Sequence, residues 1–111
     1  MSPSISMSRR AGRVIFVRHG ESIWNTTDPA RGLLTRFTGW ADVPLTELGV
    51  QQAREAGKTI QALGVAPDVV CTSLLTRAIH SYEEIQKSFS ADTHTRLTLI
   101  KSWRLNERHY G

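Results

Sequence analysis

Hydrophobic and polar positions along the chain fall into blocks that predict the order strand, helix, strand, helix, strand. The first block, residues 14–17, is a short unbroken apolar run, which is typical of a strand buried on both faces of a parallel sheet. Two later segments have apolar residues at helical spacing, and short apolar runs stand between and after them. This alternation indicates an α/β fold with three layers and a largely parallel central sheet.

Both predicted helices have recognisable ends. The first begins after Thr46, whose hydroxyl can accept from a backbone N–H of the first turn, and Gly64 marks its end. The second is capped by Thr72 or Ser73. We expect the buried positions to be Ala53, Ala56, Ile60 and Leu63 in the first helix, and Leu75, Ala78, Ile79, Tyr82, Ile85 and Phe89 in the second.

The later strands are predicted at residues 69–71 and 96–100, where short apolar runs recur. Cys71 ends the first of these runs and is expected to be a small buried core residue. Residues 26–44 are rich in Gly, Pro, Asp and Thr, which indicates a long exposed loop. A second polar loop is predicted at residues 103–111.

Composition narrows the classes of function. In 111 residues we expect a disordered leader at 1–12, which is basic and Ser-rich, and one folded domain at 13–111. No apolar run approaches the roughly 20 residues that cross a bilayer, so no membrane partner is expected. The single Cys71 excludes an internal disulfide framework and fits a reducing compartment such as the cytoplasm.

The charge of the chain points to anionic ligands. The net charge is +4, and most of the 14 basic residues are arginines, whose planar guanidinium suits phosphate and carboxylate. The sequence has neither zinc-ligand spacing nor a basic strand studded with aromatic residues, so nucleic-acid binding is not expected.

The fold class predicts where a site would form. Right-handed crossovers keep the strands parallel, so the carboxyl ends share one sheet edge, and ligands of open α/β sheets bind there. The residues that follow the three strands are therefore expected to form one site. They are Arg18, His19, Gly20, Glu21 and Ser22 after the first strand, Thr72, Ser73 and Arg77 after the second, and Glu107, Arg108, His109 and Tyr110 after the third.

These residue types suit the transfer of a phosphoryl group. The lone pair of neutral His19 can attack phosphorus, and Arg18 and Arg77 can hold the charge on the phosphoryl oxygens. The N–H groups at the start of the second helix would also favour an anion. Glu107 is the natural acid and base for the oxygen that leaves or attacks. Further hydrogen bonds are expected from Ser22, Asn25 and Thr38, and no metal is needed.

Each of these residues also has a plainer interpretation. A histidine in a loop after a strand is often structural or merely exposed, and Arg77 alone could be a solvated helix residue. Glu107 and Arg108 could form a surface ion pair worth less than ~1 kcal/mol. The residues by themselves therefore leave phosphoryl transfer as a hypothesis.

Five blocks of sequence bear on that choice. They are RHGES with WN after it, FTGW at 37–40, PLTELG at 44–49, TSLLTRA at 72–78 and SWRLNERHYG at 102–111. The same blocks occur in the same order in the cofactor-dependent phosphoglycerate mutases. The chain resembles the N-terminal half of that family, within the wider histidine phosphatase superfamily, and the resemblance covers residues 13–111.

The resemblance implies roles for individual residues. His19 would accept the phosphoryl group, Arg18 and Arg77 would clamp it, and Glu107 would give and take the proton. The substrate-binding set implied in this way comprises Arg18, Ser22, Asn25, Thr38, Gly39, Arg77, Glu107, Arg108, His109 and Tyr110.

The family's activity sets the expected function. Its members interconvert 3-phosphoglycerate and 2-phosphoglycerate in glycolysis and gluconeogenesis, are primed by 2,3-bisphosphoglycerate and use no metal. They are usually cytoplasmic homo-oligomers. A bisphosphoglycerate mutase or a related histidine phosphatase is the alternative within enzymes. A catalytically inactive fragment that binds a phosphorylated ligand is the alternative of another class.

Two departures from the family pattern affect these expectations. The segment TTDPARGLLTR, between Asn25 and Phe37, is several residues longer than is usual, and it separates two substrate-contacting blocks. The family also continues beyond the position of Gly111, with more substrate-binding residues and further strands. We therefore expect the 111 residues alone to fold marginally and to have little or no mutase activity.

Overall fold

The fold alternates strands and helices. The computed structural model describes residues 5–7, 12–25, 27–35 and 42–106, with the backbone alone for 5–7. In chain order the elements are β1 (Ile5–Met7), β2 (Ile15–Val17), α1 (Glu47–Ala62), β3 (Val69–Thr72), α2 (Thr76–Ile85), α3 (Ala91–Arg96) and β4 (Thr98–Lys101). Three short 3-10 turns lie at Pro29–Arg31, Gln86–Ser88 and Trp103–Leu105.

The described strands form two pairs. Strands β3 and β4 run parallel, with Val69 opposite Thr98 and Thr72 opposite Lys101. The chain between them passes through α2 and α3, as a parallel pair requires. The α/β class predicted from the sequence is confirmed, and so is a parallel pairing between its two later strands.

The environment of β2 differs from the prediction. We expected a central parallel strand buried on both faces, but β2 pairs antiparallel with β1, and Phe16 is 69% exposed. An unbroken apolar run indicates a strand without specifying its partner or the burial of each face. Strand β1 lies within residues 1–12, where we predicted a disordered leader, so Ile5–Met7 differ from that expectation.

Helix α1 begins and ends where its sequence predicts. The Thr46 hydroxyl accepts from the Gly49 N–H at 3.1 Å and so caps the first turn. Gly64 follows the helix with φ of +70°, a backbone conformation that glycine adopts without a steric penalty. Of the predicted apolar face, Leu63 is exposed because it lies beyond the last helical residue, whereas the other three positions, Ala53, Ala56 and Ile60, are buried.

The predicted start of α2 is wrong. Neither Thr72 nor Ser73 caps it, because the helix begins at Thr76. Asp42, far away in sequence, accepts from the Thr76 N–H at 2.6 Å and from its hydroxyl at 2.8 Å. Along the predicted apolar face, Leu75 and Ile85 are buried, and the others are partly buried: Ala78, Ile79, Tyr82 and Phe89.

The core lies where α1 meets α2. Ala53, Ala56 and Ile60 pack with Ile85, and half-buried side chains from β2 cover this cluster. Ion pairs of Glu84 also join these two helices and the turn that follows α2. Buried Glu84 accepts from Arg54 at 2.9 Å and from Lys87 at 2.7 Å. Helices α1 and α2 therefore form the rigid body on which the chain segments around them rest.

Two smaller predictions near β4 are corrected. Arg96 ends helix α3 instead of starting the strand, because Ser90 accepts from the Thr93 N–H at 3.2 Å and caps a helix that hydrophobic periodicity does not reveal. Cys71 is exposed, although we expected it in the core.

Within the described residues, no helix is both long enough and apolar enough to span a membrane.

Candidate functional site

An open cleft of about 930 Å³ runs along β2 and β3, from Gly12 and Pro67 at their amino ends to His19 and Ser73 at their carboxyl ends, where it meets the start of α2. Several of the residues predicted to converge at one sheet edge line this cleft together: Arg18, His19, Thr72, Ser73 and Arg77. The structure thus brings the ends of these two strands together, although β2 and β3 are not neighbours in one sheet among the described residues.

The ring of His19 contacts the backbone of the next residue. Its Nδ1 lies 2.6 Å from the carbonyl oxygen of Gly20. A carbonyl oxygen can only accept a hydrogen bond, so Nδ1 must carry the hydrogen and donate it. The lone pair of the neutral imidazole is then on Nε2. This tautomer is the one that a nucleophilic histidine needs if it is to attack through Nε2.

Three successive backbone N–H groups after His19 donate to side chains. The N–H groups of Gly20, Glu21 and Ser22 have acceptors at 3.0, 2.9 and 2.8 Å. The acceptors, in that order, are Ser81 Oγ, Gln52 Oε1 and Asn25 Oδ1. The segment that carries the histidine is therefore fixed against α1 and α2, and it closes with a local turn at Asn25.

Two glycines allow α1 to touch this segment directly. A Cβ on Gly20 would overlap the carbonyl group of Gly49, and a Cβ on Gly49 would overlap the carbonyl oxygen of Glu21. Only hydrogen fits between the two backbones at these positions. The first turn of α1 thus serves as the platform under the His19 segment.

Arg77 contributes a buried positive charge. It lies in the first turn of α2, as predicted, and is 1% exposed. Ser81, one turn later, donates to the Arg77 carbonyl at 2.6 Å while accepting from Gly20. Arg18 is exposed on the same cleft. The cleft consequently has one arginine fixed in the protein and one at its surface, which suits an anion.

Several N–H groups around the start of α2, where we predicted donors for an anion, already have side-chain acceptors. The N–H groups of Leu74, Leu75 and Thr76 all donate to side chains. Their acceptors are Asn106 at 3.0 Å, Ser73 at 3.3 Å and Asp42 at 2.6 Å. The hydrogen bonds from Thr76 hold the pKa of Asp42 below its ordinary value. This helix terminus therefore carries a protein carboxylate of its own.

Of the predicted substrate contacts, Ser22 is fully buried and Asn25 forms a hydrogen bond within the protein. Ser22 is 0% exposed, and its Oγ has no hydrogen-bond partner among the described residues. Asn25 uses Oδ1 to accept from the Ser22 N–H. The other predicted members lie outside the described residues: Thr38, Gly39, Glu107, Arg108, His109 and Tyr110. Asn106, next to Glu107, is tied to the loop before α2.

Glu21 is a buried residue whose contacts the sequence did not predict. Its carboxylate accepts from the Arg31 guanidinium and from the Thr46 hydroxyl, the latter at 2.7 Å. Burial opposes ionisation, but these hydrogen bonds and the charge of Arg31 outweigh it and hold the pKa of Glu21 below its ordinary value. The available signal was an acidic residue directly after His19-Gly20, together with an arginine in an unusually long loop.

The described residues do not contain a cluster of three or more histidine, cysteine, aspartate or glutamate side chains that could hold a metal ion.

Comparison with known proteins gives a family match over most of the chain. The model of the family described as "Histidine phosphatase superfamily (branch 1)" matches residues 14–111. The match therefore includes β2 and every later element of the fold.

Two curated relatives have the same name. A 2,3-bisphosphoglycerate-dependent phosphoglycerate mutase of Xylella fastidiosa is 46% identical over 99 residues, covering 89% of this chain and 36% of the relative. One of Streptococcus agalactiae is 48% identical over 99 residues, covering 89% of this chain and 39% of the relative. The chain thus spans little more than a third of the length of these relatives.

Solved structures share the fold. Bacillus stearothermophilus YhfR is 36% identical, with a TM-score of 0.58 over 85% of this chain and 39% of its own.

Proposed function

This chain belongs to the histidine phosphatase superfamily, branch 1, and we propose that it carries the phosphohistidine part of a 2,3-bisphosphoglycerate-dependent phosphoglycerate mutase. Support comes from two relatives of that name at 46% and 48% identity. Residues 13–111 would form the N-terminal part of the catalytic domain. The proposed reaction interconverts 3-phosphoglycerate and 2-phosphoglycerate, in the cytoplasm and in a homo-oligomeric full-length enzyme.

The single observation that carries the proposal is the hydrogen bond from His19 Nδ1 to the carbonyl of Gly20, at 2.6 Å. It selects the tautomer whose lone pair is on Nε2. The imidazole stays in one orientation because its acceptor belongs to the adjacent, anchored backbone.

In the proposed step, Nε2 of His19 attacks the phosphorus of a bound phosphate ester. The new N–P bond forms as the P–O bond to the leaving oxygen breaks, and that oxygen takes a proton from Glu107. In the reverse direction a substrate hydroxyl gives its proton to Glu107 and takes the phosphoryl group from His19. Bound 2,3-bisphosphoglycerate supplies the first phosphoryl group. The two steps together move a phosphoryl group between oxygens.

The arginines provide the electrostatic part of this mechanism. Arg77 is buried at the cleft and Arg18 is exposed on it, and in the proposed reaction their charge stabilises the three phosphoryl oxygens as the bond changes partners. This charge replaces what a metal would supply, and we propose a metal-free reaction on that ground. The same cations fit 2,3-bisphosphoglycerate and other small phosphorylated acids.

The other proposed contacts position the substrate. We assign this role to Ser22, Asn25, Thr38, Gly39, Arg108, His109 and Tyr110. For Ser22 and Asn25 the role rests on the resemblance to the phosphoglycerate mutases, because Ser22 is 0% exposed and neither residue lines the cleft.

A labelling experiment tests the proposal. The protein is incubated with 2,3-bisphosphoglycerate labelled in its phosphoryl groups, and acid-labile, alkali-stable label on the protein is measured. We expect label on the wild type, none on His19→Ala, and wild-type label on His94→Ala. His94 is a matched control because it is an exposed histidine outside the lining of the cleft. An unlabelled wild type, or a labelled His19→Ala protein, would contradict the proposal.

Hydrolysis is the second candidate, because the family description names phosphatases. Water would then take the phosphoryl group from His19 in place of a substrate hydroxyl. The labelled protein is chased with 3-phosphoglycerate and, separately, with buffer. Release as 2,3-bisphosphoglycerate or 2-phosphoglycerate indicates a mutase of either kind, and equal release of orthophosphate in both chases indicates a phosphatase. Binding of phosphate without any label indicates an inactive ligand-binding fragment.

A further inference from the structure

The loop of residues 27–35 is folded on its own hydrogen bonds. Asp28 and Leu33 exchange backbone hydrogen bonds at 3.0 and 2.9 Å. Thr27 accepts from the Thr35 N–H at 3.0 Å, and Gly32 closes the turn with φ of +68°. Pro29–Arg31 forms a 3-10 turn at the tip. The loop therefore presents Arg31 from a defined scaffold, although it buries none of the turn residues.

Arg31 reaches from this scaffold to the segment that follows β2. Its guanidinium donates to the carboxylate of Glu21, and a second contact, to Asp28, spans 3.6 Å within the loop. The Glu21 side chain is 6% exposed, whereas that of Arg31 is 38% exposed. A buried carboxylate thus depends on a cation from a surface loop. If Arg31 were removed, the Glu21 carboxylate would keep one side-chain hydrogen-bond donor among the described residues, the hydroxyl of Thr46.

Glu21 is joined to the histidine through two peptide units. Its N–H donates to Gln52 at 2.9 Å, and its carbonyl accepts from the Thr46 N–H at 2.9 Å. The peptide unit just before it contains the Gly20 carbonyl, which accepts from His19 Nδ1. The Gly20 carbonyl and the Glu21 N–H belong to one peptide unit, so Glu21 directly adjoins the group that orients the imidazole.

We propose that Arg31 is a positioning residue for His19, acting through Glu21 and the Gly20 carbonyl. The long loop is then a working part of the site and more than an insertion that the surface tolerates. The inference rests on the proposed function only for its kinetic readout, because the orientation of the ring can be measured without any substrate.

The first test is spectroscopic. Correlation of ring protons with ring nitrogens by NMR distinguishes an imidazole protonated on Nδ1 from one protonated on Nε2. We expect wild-type His19 to be in the Nδ1–H form at a pH where the ring is neutral. Arg31→Ala should give a mixture of tautomers, and Arg31→Lys should restore part of the Nδ1–H signal because it returns the charge without the planar fork.

The second test is kinetic and uses the labelling reaction of His19. Arg31→Ala should slow the rate of phosphorylation by about tenfold or more, with a smaller change in the concentration of donor that gives half the maximal rate. Arg96→Ala is the matched control, because Arg96 is an exposed arginine paired with Asp92 on α3. That control should leave both readouts at wild-type values.

The outcomes separate the two proposals. If Arg31→Ala keeps the wild-type tautomer and rate while its melting temperature falls, Arg31 is only structural and the inference is overturned. If wild-type His19 is never phosphorylated, the proposed function fails, yet the tautomer still tests Arg31. Should Arg31→Ala not fold, Arg31→Gln carries the same test, and a wild-type tautomer and wild-type rate in it would overturn the inference.

Discussion

The hydroxyl of Ser81 accepts a hydrogen bond of 3.0 Å from the backbone N–H of Gly20. The two residues are 61 positions apart, and this contact joins the segment after β2 to the second turn of α2. The same hydroxyl donates to the carbonyl of Arg77, so it uses its hydrogen and one of its lone pairs. One small side chain thus holds His19 and Arg77 in a fixed relation.

Replacing Ser81 by Ala should weaken both the fold and the proposed site. The Gly20 N–H would be left without its acceptor in a buried place, which costs about 1–3 kcal/mol of unfolding free energy. Urea unfolding measures that loss, and labelling of His19 should slow in parallel. Ser88→Ala is the control, since this half-buried serine lies outside the lining of the cleft. Equal stability of the two variants would show that the Gly20 contact contributes nothing.

A methyl group at Gly49 should be strongly unfavourable. In an exposed helix, alanine is favoured over glycine by about 1 kcal/mol, but here its Cβ would overlap the Glu21 carbonyl oxygen. Overpacking costs typically 1–3 kcal/mol, and an overlap with backbone should lie near the upper end, so after subtracting the gain of about 1 kcal/mol we expect a net loss of about 2 kcal/mol in Gly49→Ala. The midpoint of urea unfolding reports it.

Gly12→Ala is the matched control for that substitution. A Cβ at Gly12 meets no atom within 4 Å, so its stability should equal that of the wild type. A Gly49→Ala protein as stable as Gly12→Ala would contradict the close approach of α1 to the His19 segment.

How much of the fold could be predicted from the sequence depends on how far apart the interacting residues lie along the chain. The Thr46 cap and the Gly64 stop of α1 involve neighbours within one turn, and both predictions are confirmed. The cap of α2 comes from Asp42, and no local pattern around Thr76 contains that residue. Serine and threonine near a helix start indicate a cap, but in the folded chain the carboxylate of Asp42 accepts from the Thr76 N–H instead.

The residues of the site also differ in whether the sequence could predict them. The topology argument brought His19 and Arg77 to one place, and both line the cleft. Gln52 and Ser81 were not predicted, because a polar residue on a helix gives no sign that it faces a neighbouring backbone instead of water. The roles assigned to Glu107 and Tyr110 stay predictions, since these residues lie outside the described part of the chain.

Stability should fall in acid partly through Glu84. Hydrogen bonds from Lys87, and then from Arg54, outweigh the effect of burial and hold the pKa of Glu84 below its ordinary value. A carboxyl whose pKa is depressed by folding stabilises the protein fully above its unfolded pKa of about 4.3, and that contribution is lost as the pH falls through the lower, folded value. Both partners are largely exposed, so we expect about 1 kcal/mol.

The variant Glu84→Gln isolates this contribution. Its unfolding free energy, measured between pH 7 and pH 3, should fall less steeply than that of the wild type, and the two curves should converge at low pH. Glu55→Gln serves as the control, since Glu55 pairs with Lys58 on the exposed side of α1. Parallel curves for wild type and Glu84→Gln would refute the assignment.

Asn106 should position Glu107 in the proposed reaction. Its side-chain oxygen accepts from the Leu74 N–H at 3.0 Å, and this ties the residue just before Glu107 to the loop between β3 and α2. The hydrogen bond is exposed, so Asn106→Ala should cost less than about 1 kcal/mol of stability. It should slow the phosphoryl transfer that needs Glu107 by about tenfold, because the proton donor is no longer held in place.

The conservative variant decides between positioning and a general loss of structure. Asn106→Asp keeps an oxygen that can accept from Leu74, so its labelling rate at neutral pH should be closer to that of the wild type than the rate of Asn106→Ala. A donor with a good leaving group needs little protonation, and with such a donor both variants should phosphorylate His19 at nearly the wild-type rate. If Asn106→Ala is equally slow with every donor, its effect does not pass through Glu107, and the residue serves the fold alone.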